Sequence, residues 1–306
     1  MAVKSQLKVG GTTVEVSNLA KIFYPKTGFT KGQVIDYYIK ISPFLLPHLK
    51  NRPITLKRYP DGVEGFFFYE KQCPASHPKS MKTAKVARKD GSLIDYCVMN
   101  DLPSLVWAAN LADLELHTFL HRAPAIDTPT ALAFDLDPGP PADIVLCCQV
   151  GLWLRDMFKN LKLECFPKTS GSKGLQVFVP LNTRVSYDKT KAFAHAVAES
   201  LEREFPKIVV SKMQKHLRPG KVLVDWSQND PHKTTVCAYS LRAKEHPTVS
   251  TPVTWEEVTQ ALKKKKSKLL AFEADDVLKR VQKHGDLFAP VLKLKQKLPP
   301  LKTDAE

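Results

Sequence analysis

No window of the 306 residues approaches eighteen uninterrupted apolar positions, and the first residues, Met1-Ala2-Val3-Lys4-Ser5-Gln6, hold no apolar stretch of a secretion signal. A spanning helix is excluded, and export is not expected. The six cysteines, at 73, 97, 147, 148, 165 and 237, contain no C-x-x-C spacing, and the adjacent two are badly placed to share a metal. They read as reduced, mostly buried thiols of a cytoplasmic protein. Neither H-E-x-x-H nor the phosphate-loop pattern G-x-x-x-x-G-K-[ST] occurs, and no repeat of solenoid period is present. Acids are scarce as well, 31 Asp and Glu against 46 Lys and Arg, for a net charge of +15. A field of that sign attracts polyanions, and nucleic acid is the leading partner.

What is there begins with Ala131-Leu132-Ala133-Phe134-Asp135-Leu136-Asp137-Pro138-Gly139. Leu132, Phe134 and Leu136 alternate with Ala131, Ala133, Asp135 and Asp137, which is a strand with one apolar face and one small face that ends in two acids. Pro138-Gly139 terminates it. Two carboxylates held side by side repel one another unless a cation sits between them. A third acid, Asp225, stands in the apolar run Val222-Leu223-Val224-Asp225-Trp226, where a lone carboxylate is costly without a partner or a metal. Between these strands, Lys168-Thr169-Ser170-Gly171-Ser172-Lys173-Gly174 forms a loop whose small residues let backbone N–H groups converge on an anion. Residues 175–180 follow as a strand that turns Gln176 and Phe178 away from its aliphatic face. Three strand-borne acids and an anion-binding loop fit a two-metal phosphoryl or nucleotidyl transfer site.

The N-terminal half reads as a hairpin through Gly10-Gly11, then a helix from Thr30 with Gln33 completing a capping box and Val34, Ile35, Tyr38 and Ile41 as its apolar stripe. Pro43 and Pro47 are expected to break and restart that helix. Lys31 sits in its first turn, where a cation opposes the helix dipole unless an anion is held there. Residues 53–60 read as a strand with basic exposed positions. In Phe66-Phe67-Phe68-Tyr69 strand alternation either turns rings outward as a base-stacking platform or buries both faces. Residues 79–91 read as a basic loop, and Asp101 as the cap of a helix reaching about residue 119. On its last turns His117 and His121 are four apart with Glu115 nearby, a zinc-like spacing that lacks a third ligand. Further helices are expected near 142–161, 187–205, 255–263 and 275–284, and strands near 163–167, 208–211 and 234–240. The first of these helices has the length of a crossover back to the same sheet. Residues 263–266, a lysine run, read as solvated surface.

Four motifs, Phe134-Asp135-Leu136-Asp137-Pro138-Gly139, Thr169-Ser170-Gly171-Ser172-Lys173-Gly174-Leu175, Val224-Asp225-Trp226-Ser227-Gln228-Asn229 and Tyr239-Ser240-Leu241-Arg242, occur in order, preceded by Tyr24-Pro25, Arg52-Pro53 and Lys57-Arg58. Through them residues 15–290 closely resemble the polymerase domain of the bacterial end-joining ligase D, in the archaeo-eukaryotic primase superfamily. The resemblance implies an α+β fold, with a primase-like catalytic core on a mixed, RRM-like sheet and a basic N-terminal α/β module. Residues 1–290 would form one catalytic unit, with modules at about 1–125 and 126–290, and 291–306 would be a basic, polar tail.

By the same resemblance Asp135, Asp137 and Asp225 would be catalytic and hold two divalent metal ions, manganese or magnesium. Ser170, Ser172, Lys173, Gln176, Gln228 and Arg242 would bind the nucleotide. Lys21, Lys31 and Lys57 would take a DNA 5′-phosphate, Phe68 and Tyr69 would support the template base, and Arg218 would lie on a mobile loop near the primer. The implied activity is gap filling at DNA ends in non-homologous end joining, with a preference for ribonucleotides over deoxynucleotides, beside a DNA-end-binding Ku protein and a ligase. No ligase part is fused within the sequence, so a separate ligase is expected, in a cytoplasmic, nucleoid-associated setting. One position departs: the family's Lys-Gly-Leu-His reads Lys-Gly-Leu-Gln here, and the neutral amide of Gln176 cannot carry charge. Slow turnover follows as an expectation, with Gln176→His raising kcat/KM. Two rivals stand beside this reading. One is a DNA-end-binding or bridging protein with weak polymerase activity. The other is a metal-dependent nuclease, which has no need of Lys173 and Arg242.

Overall fold

Two adjacent glycines at positive φ, Gly10 (54°) and Gly11 (78°), turn the chain between β1 (Lys4–Val9) and β2 (Thr12–Ser17), the hairpin that the sequence predicts. In this computed structural model, which describes residues 4–88 and 90–300, the rest of the expected tail, residues 301–306, lies outside the described residues. The chain divides into one unit of residues 1–124, 234–251 and 272–286 and another of residues 125–233, 252–271 and 287–306.

In the first unit β3 (Ile22–Tyr24) and β4 (Phe29–Thr30) lead into α1 (Lys31–Leu49). Thr30 Oγ1 accepts from Gln33 N while Gln33 Oε1 accepts from Thr30 N, the reciprocal cap expected from the sequence, worth about 1 kcal/mol. Contrary to expectation α1 runs unbroken through Pro43 and Pro47. Pro43 has no N–H for the carbonyl of Ile39, and the Ser42 hydroxyl donates to that carbonyl instead, at 2.8 Å. Burial of Val34, Ile35, Tyr38, Ile41 and Leu45 holds the helix on either side of the prolines.

Next come β5 (Pro53–Arg58), β6 (Phe68–Glu70), β7 (Lys82–Ala87), β8 (Leu93–Val98), α2 (Leu102–Asn110) and β9 (Asp113–Thr118). Two of these correct the sequence reading. The supposed basic loop contains β7, whose weak apolar pattern becomes a strand by pairing along its whole length with β8. The helix capped by Asp101 stops at Asn110, because Ala112 takes a left-handed φ of 63° and Asp113-Leu114-Glu115-Leu116-His117-Thr118 pairs with β5. His117 is therefore a strand residue, and no zinc-like helical pair with His121 exists. Cys73 and Cys97 are joined in a disulfide, against the expectation that all six thiols are reduced, while Cys147, Cys148, Cys165 and Cys237 are free and buried.

The second unit opens with β10 (Ala131–Pro138), α3 (Ile144–Asn160), β11 (Phe166–Thr169), β12 (Leu175–Pro180), α4 (Tyr187–Glu204), β13 (Val209–Val210) and β14 (Val222–Asp225). Its sheet has the order β11-β12-β10-β14-β13, with β10 antiparallel to both neighbours and β13 parallel to β14, so it is mixed. Helix α3 returns the chain to β11, parallel to β10 and two places away, which is the crossover its length predicts. The chain then gives the first unit β15 (Thr235–Val236), a shorter strand than the residues 234–240 expected, which pairs with β9 and completes the order β15-β9-β5-β8-β7 with β6 on β5. Helix α5 (Trp255–Lys264) belongs to the second unit and α6 (Ala274–His284) to the first. Among the described residues no helix is long and apolar enough to cross a membrane. The whole is an α+β fold, as the sequence implies.

Candidate functional site

Backbone pairing in the second unit lines up four residues on four adjacent strands. Lys168 of β11 is the partner of Gln176 of β12, Gln176 of Asp135 on β10, and Asp135 of Asp225 on β14. Asp137 follows Asp135 by two positions and so shares its face. The period-two pattern seen in the sequence therefore delivers three acids to one face of neighbouring strands. The Asn229 side chain extends the row's support. It accepts from Ala133 N at 3.0 Å and donates to Ala133 O at 2.8 Å, so it pairs with β10 just where β14 has ended. The sequence offered no sign of that role.

The glycines on either side of this row are set by close approach. A Cβ on Gly139 would lie 2.0 Å from the carbonyl oxygen of Arg218, and one on Gly174 would lie 2.2 Å from that of Leu136. The loop of residues 170–174 thus rests directly on β10 between its two acids. Its conformation differs from the expected cradle, because the Ser170 hydroxyl itself accepts from Ser172 N (3.2 Å) and Gly174 N (3.1 Å). Ser172 and Lys173 are its exposed members, and Lys173 carries the charge. The Lys173 side chain is 60% exposed, with Nζ 3.9 Å from Asp137 and 3.4 Å from the Pro138 carbonyl. Arg218 donates to Met213 O, and its neighbours Pro219 and Gly220 are paired or bonded to Gly139.

Asp225 is turned along its own strand end. Its Oδ1 accepts from Ser227 N (2.8 Å) and Ser227 Oγ (2.5 Å), and its Oδ2 accepts from Gln228 Nε2 (2.9 Å). Gln228 is thereby engaged by an acid of the row. Among the described residues no group of three or more His, Cys, Asp and Glu side chains stands ready to hold a metal ion. The donor set still suits a hard divalent cation, since all three side chains offer carboxylate oxygens from adjacent strands. Their mutual repulsion is visible at Asp135, whose carboxyl is raised to about 7 by burial and by the charges of Asp137 and Asp225.

That shift fixes a pH dependence. An Asp that titrates near 7 when folded and near about 3.9 when unfolded gives stability that is full below the lower value and lost as pH rises through the upper one. In EDTA, Asp135→Asn is therefore expected to melt well above the parent protein at about pH 8, with the gap closing toward about pH 5. Melting curves of the two proteins across this range provide the check. A gap that does not change with pH contradicts the assignment.

The first unit has a row of its own. Glu115 of β9 pairs in register with Lys57 of β5, and Lys57 with Tyr69 of β6. Glu115 is 1% exposed and its oxygens lie 3.4 Å from Lys57 Nζ, 3.0 Å from His117 Nε2 and 3.3 Å from Arg242 Nε, with Ala243 N donating at 3.0 Å. Burial acts to raise this carboxyl, but the His117 hydrogen bond and the charges of Arg242 and Lys57 outweigh it and hold the group well below the usual range. Lys57 Nζ also lies over the rings of Tyr59, Phe67 and Tyr69 at 4.8–5.5 Å. Phe66, Phe67 and Tyr69 are exposed, so of the two readings of the aromatic run the outward-facing one holds.

Lys57 therefore belongs with Arg242 around Glu115. Lys21 and Lys31 make a different pair: burial, with Lys21 adding to it, lowers the Lys31 ammonium to about 8, while Lys21 donates to Pro60 O and Asp61. Lys31 Nζ reaches Ser17 Oγ at 3.4 Å. Read as helix, Glu115 and His117 suggest only an incomplete zinc-like spacing, and their link to Lys57 and Arg242 does not show in the sequence. The alternation of Leu114, Leu116 and Thr118 with Glu115 and His117 was the signal that could have found them.

Residues 30–288 match the family described as LigD, primase-polymerase domain. Among curated proteins the chain is similar to the multifunctional non-homologous end joining protein LigD of Mycolicibacterium smegmatis, at 40% identity over 280 residues, 91% of this chain and 36% of that protein. It is also similar to the bifunctional non-homologous end joining protein LigD of Bacillus subtilis, at 32% identity over 277 residues, 89% of this chain and 43% of that protein. The chain thus spans well under half the length of either relative. Among solved structures it resembles the polymerase domain of Mycobacterium tuberculosis ligase D in complex with DNA, with a TM-score of 0.85 and 38% identity over 92% of this chain and 99% of that one.

Proposed function

The chain belongs to the LigD primase-polymerase family, whose polymerase domains are nucleotidyltransferases of non-homologous end joining, and we propose on that footing that it fills short gaps at DNA ends by templated synthesis. The reaction is attack of a primer 3′-hydroxyl on the α-phosphate of a nucleoside triphosphate, with pyrophosphate leaving. The observation that carries this reading is the register that places Asp135 against Asp225 with Asp137 on the same face, beside the loop bearing Lys173.

Asp135, Asp137 and Asp225 would hold two divalent cations, manganese or magnesium, which when bound lower the pKa of the attacking hydroxyl and neutralise charge on the leaving group. Lys173 supplies an exposed ammonium beside Asp137, suited to triphosphate oxygens, and Ser170 and Ser172 shape the loop that presents it. Gln228 holds Asp225. Arg242, kept in place by Glu115, is read as a further triphosphate ligand, and Phe68 and Tyr69 as the support of the template base, with Arg218 toward the primer. The proposed nucleotide preference is for NTP over dNTP. The proposed partners are gapped or 5′-phosphorylated DNA, a Ku protein and a separate DNA ligase.

Lys21 and Lys31 give this reading a test apart from turnover. A buried ammonium with a second cation beside it is relieved by an anion, and a DNA 5′-phosphate is the anion that a gap supplies. A downstream 5′-phosphate is expected to strengthen binding of a gapped duplex, and Lys31→Ala to remove most of that gain. The slope of log affinity against log salt should fall by about 1. Fluorescence anisotropy with phosphorylated and unphosphorylated duplexes measures it. Equal affinity for both would remove the 5′-phosphate assignment.

A further inference from the structure

Lys168 is a buried charge that no proposed role uses. Its side chain is 0% exposed, and a buried ammonium is costly unless it is partnered. Its ammonium donates to Gln176 Oε1, and it lies 5.5 Å from the centre of the Phe178 ring. No acid stands opposite it in register, since its partner on β12 is Gln176 and the acids begin one strand further on.

The chemistry of the three groups fixes the direction of the contacts. An ammonium has donors only, so the amide oxygen of Gln176 must face Lys168. With its oxygen committed to Lys168, the amide nitrogen is the end of Gln176 left for Asp135, its register partner. Gln176 is 3% exposed and is the register partner of Asp135 on β10, whose carboxyl it helps to hold down against the effect of burial. We propose that Lys168 is a positioning residue of this site, acting through Gln176 to orient the Asp135 carboxylate, so that residues 168 and 176 form one unit.

This rests on the reading of Asp135 as a reacting-centre acid, and it assigns Gln176 a task. Its amide accepts at the oxygen and donates at the nitrogen, so it can serve both groups at once. The expectation that Gln176→His speeds turnover changes with it: an imidazole there must give its lone pair to Lys168 and so cannot bring a charge, and no gain in kcat/KM is expected while Lys168 remains.

Three variants test the proposal: Lys168→Met, Gln176→Glu and the double Lys168→Met/Gln176→Leu. Glutamate at 176 still accepts from Lys168 and satisfies the buried ammonium, but it has no N–H for Asp135. Loss of a hydrogen bond to a charged group corresponds to about a 10-fold or larger fall in kcat. Gln176→Glu should show that fall with KM for nucleotide and affinity for DNA unchanged, and the double variant should be no slower than Lys168→Met alone.

A second readout needs neither metal nor turnover. In the metal-free protein the Gln176 side-chain N–H resonances should be shifted downfield, and both Lys168→Met and Asp135→Asn should return them to the positions of a free amide. If the unaltered protein fails to extend primers, the polymerase reading falls while these spectra still decide the linkage. Full kcat in Gln176→Glu, multiplied losses in the double variant, or amide resonances indifferent to Lys168→Met would each overturn it.

Discussion

Asp137→Ala is expected to abolish primer extension while gapped duplex still binds with affinity within about 2-fold of the parent, since the phosphate contacts that dominate DNA affinity lie elsewhere. Asp137 and Asp135 are two positions apart on one strand, and Asp225 is the register partner of Asp135. A set of three carboxylates that loses one member loses both charge and geometry. The attacking hydroxyl then keeps its high pKa and the leaving pyrophosphate its full charge, and each about 1.4 kcal/mol so lost is a factor of 10 in rate. The fold should tolerate the change, because Asp137 is partly exposed and its removal relieves repulsion at Asp135. Extension assayed beside anisotropy separates the two effects.

The second large effect is expected at a residue with no side chain. Gly174→Ala places a methyl group 2.2 Å from the Leu136 carbonyl oxygen, well inside van der Waals contact, and the atom it meets is backbone. Either the loop lifts or β10 bends, and Leu136 sits between the two acids. A displacement of about 1 Å at reacting groups costs roughly 100-fold in rate. Stability should fall by about 1–3 kcal/mol, as for other overpacked sites. Thermal unfolding and kcat of Gly174→Ala test both, and a variant with unchanged kcat would show that the loop does not need this approach.

Much of the acid-bearing sheet was legible because its signals are local. Alternation in residues 131–137 followed by Pro138-Gly139 specifies β10 and its face, and the short strand carrying Asp225 is marked by its apolar run. The same holds for the Thr30-Gln33 cap. What failed depended on partners remote in sequence. Strand β7 has little pattern of its own and exists through β8. Strand β9 follows a helix so closely that only Leu111 and Ala112, the latter at positive φ, separate them, and helical spacing therefore groups Glu115 with His117 and His121 instead of with Lys57. The missing N–H of Pro43 points to a break, although the preceding hydroxyl, on Ser42, takes the carbonyl it leaves. The contact of Gln176 with Lys168, eight residues away on another strand, has no local signal. The Cys73–Cys97 pair, 24 residues apart, carried no spacing signal either.

The most direct test of the account is extension of a gapped, 5′-phosphorylated duplex by the unaltered protein, with NTPs or dNTPs, in Mn²⁺, in Mg²⁺ and in EDTA, alongside Asp137→Ala. The account predicts templated addition with either cation, greater with NTPs, and none in EDTA or with the variant. Binding of the duplex without addition under every condition, or equal addition by Asp137→Ala, would contradict it.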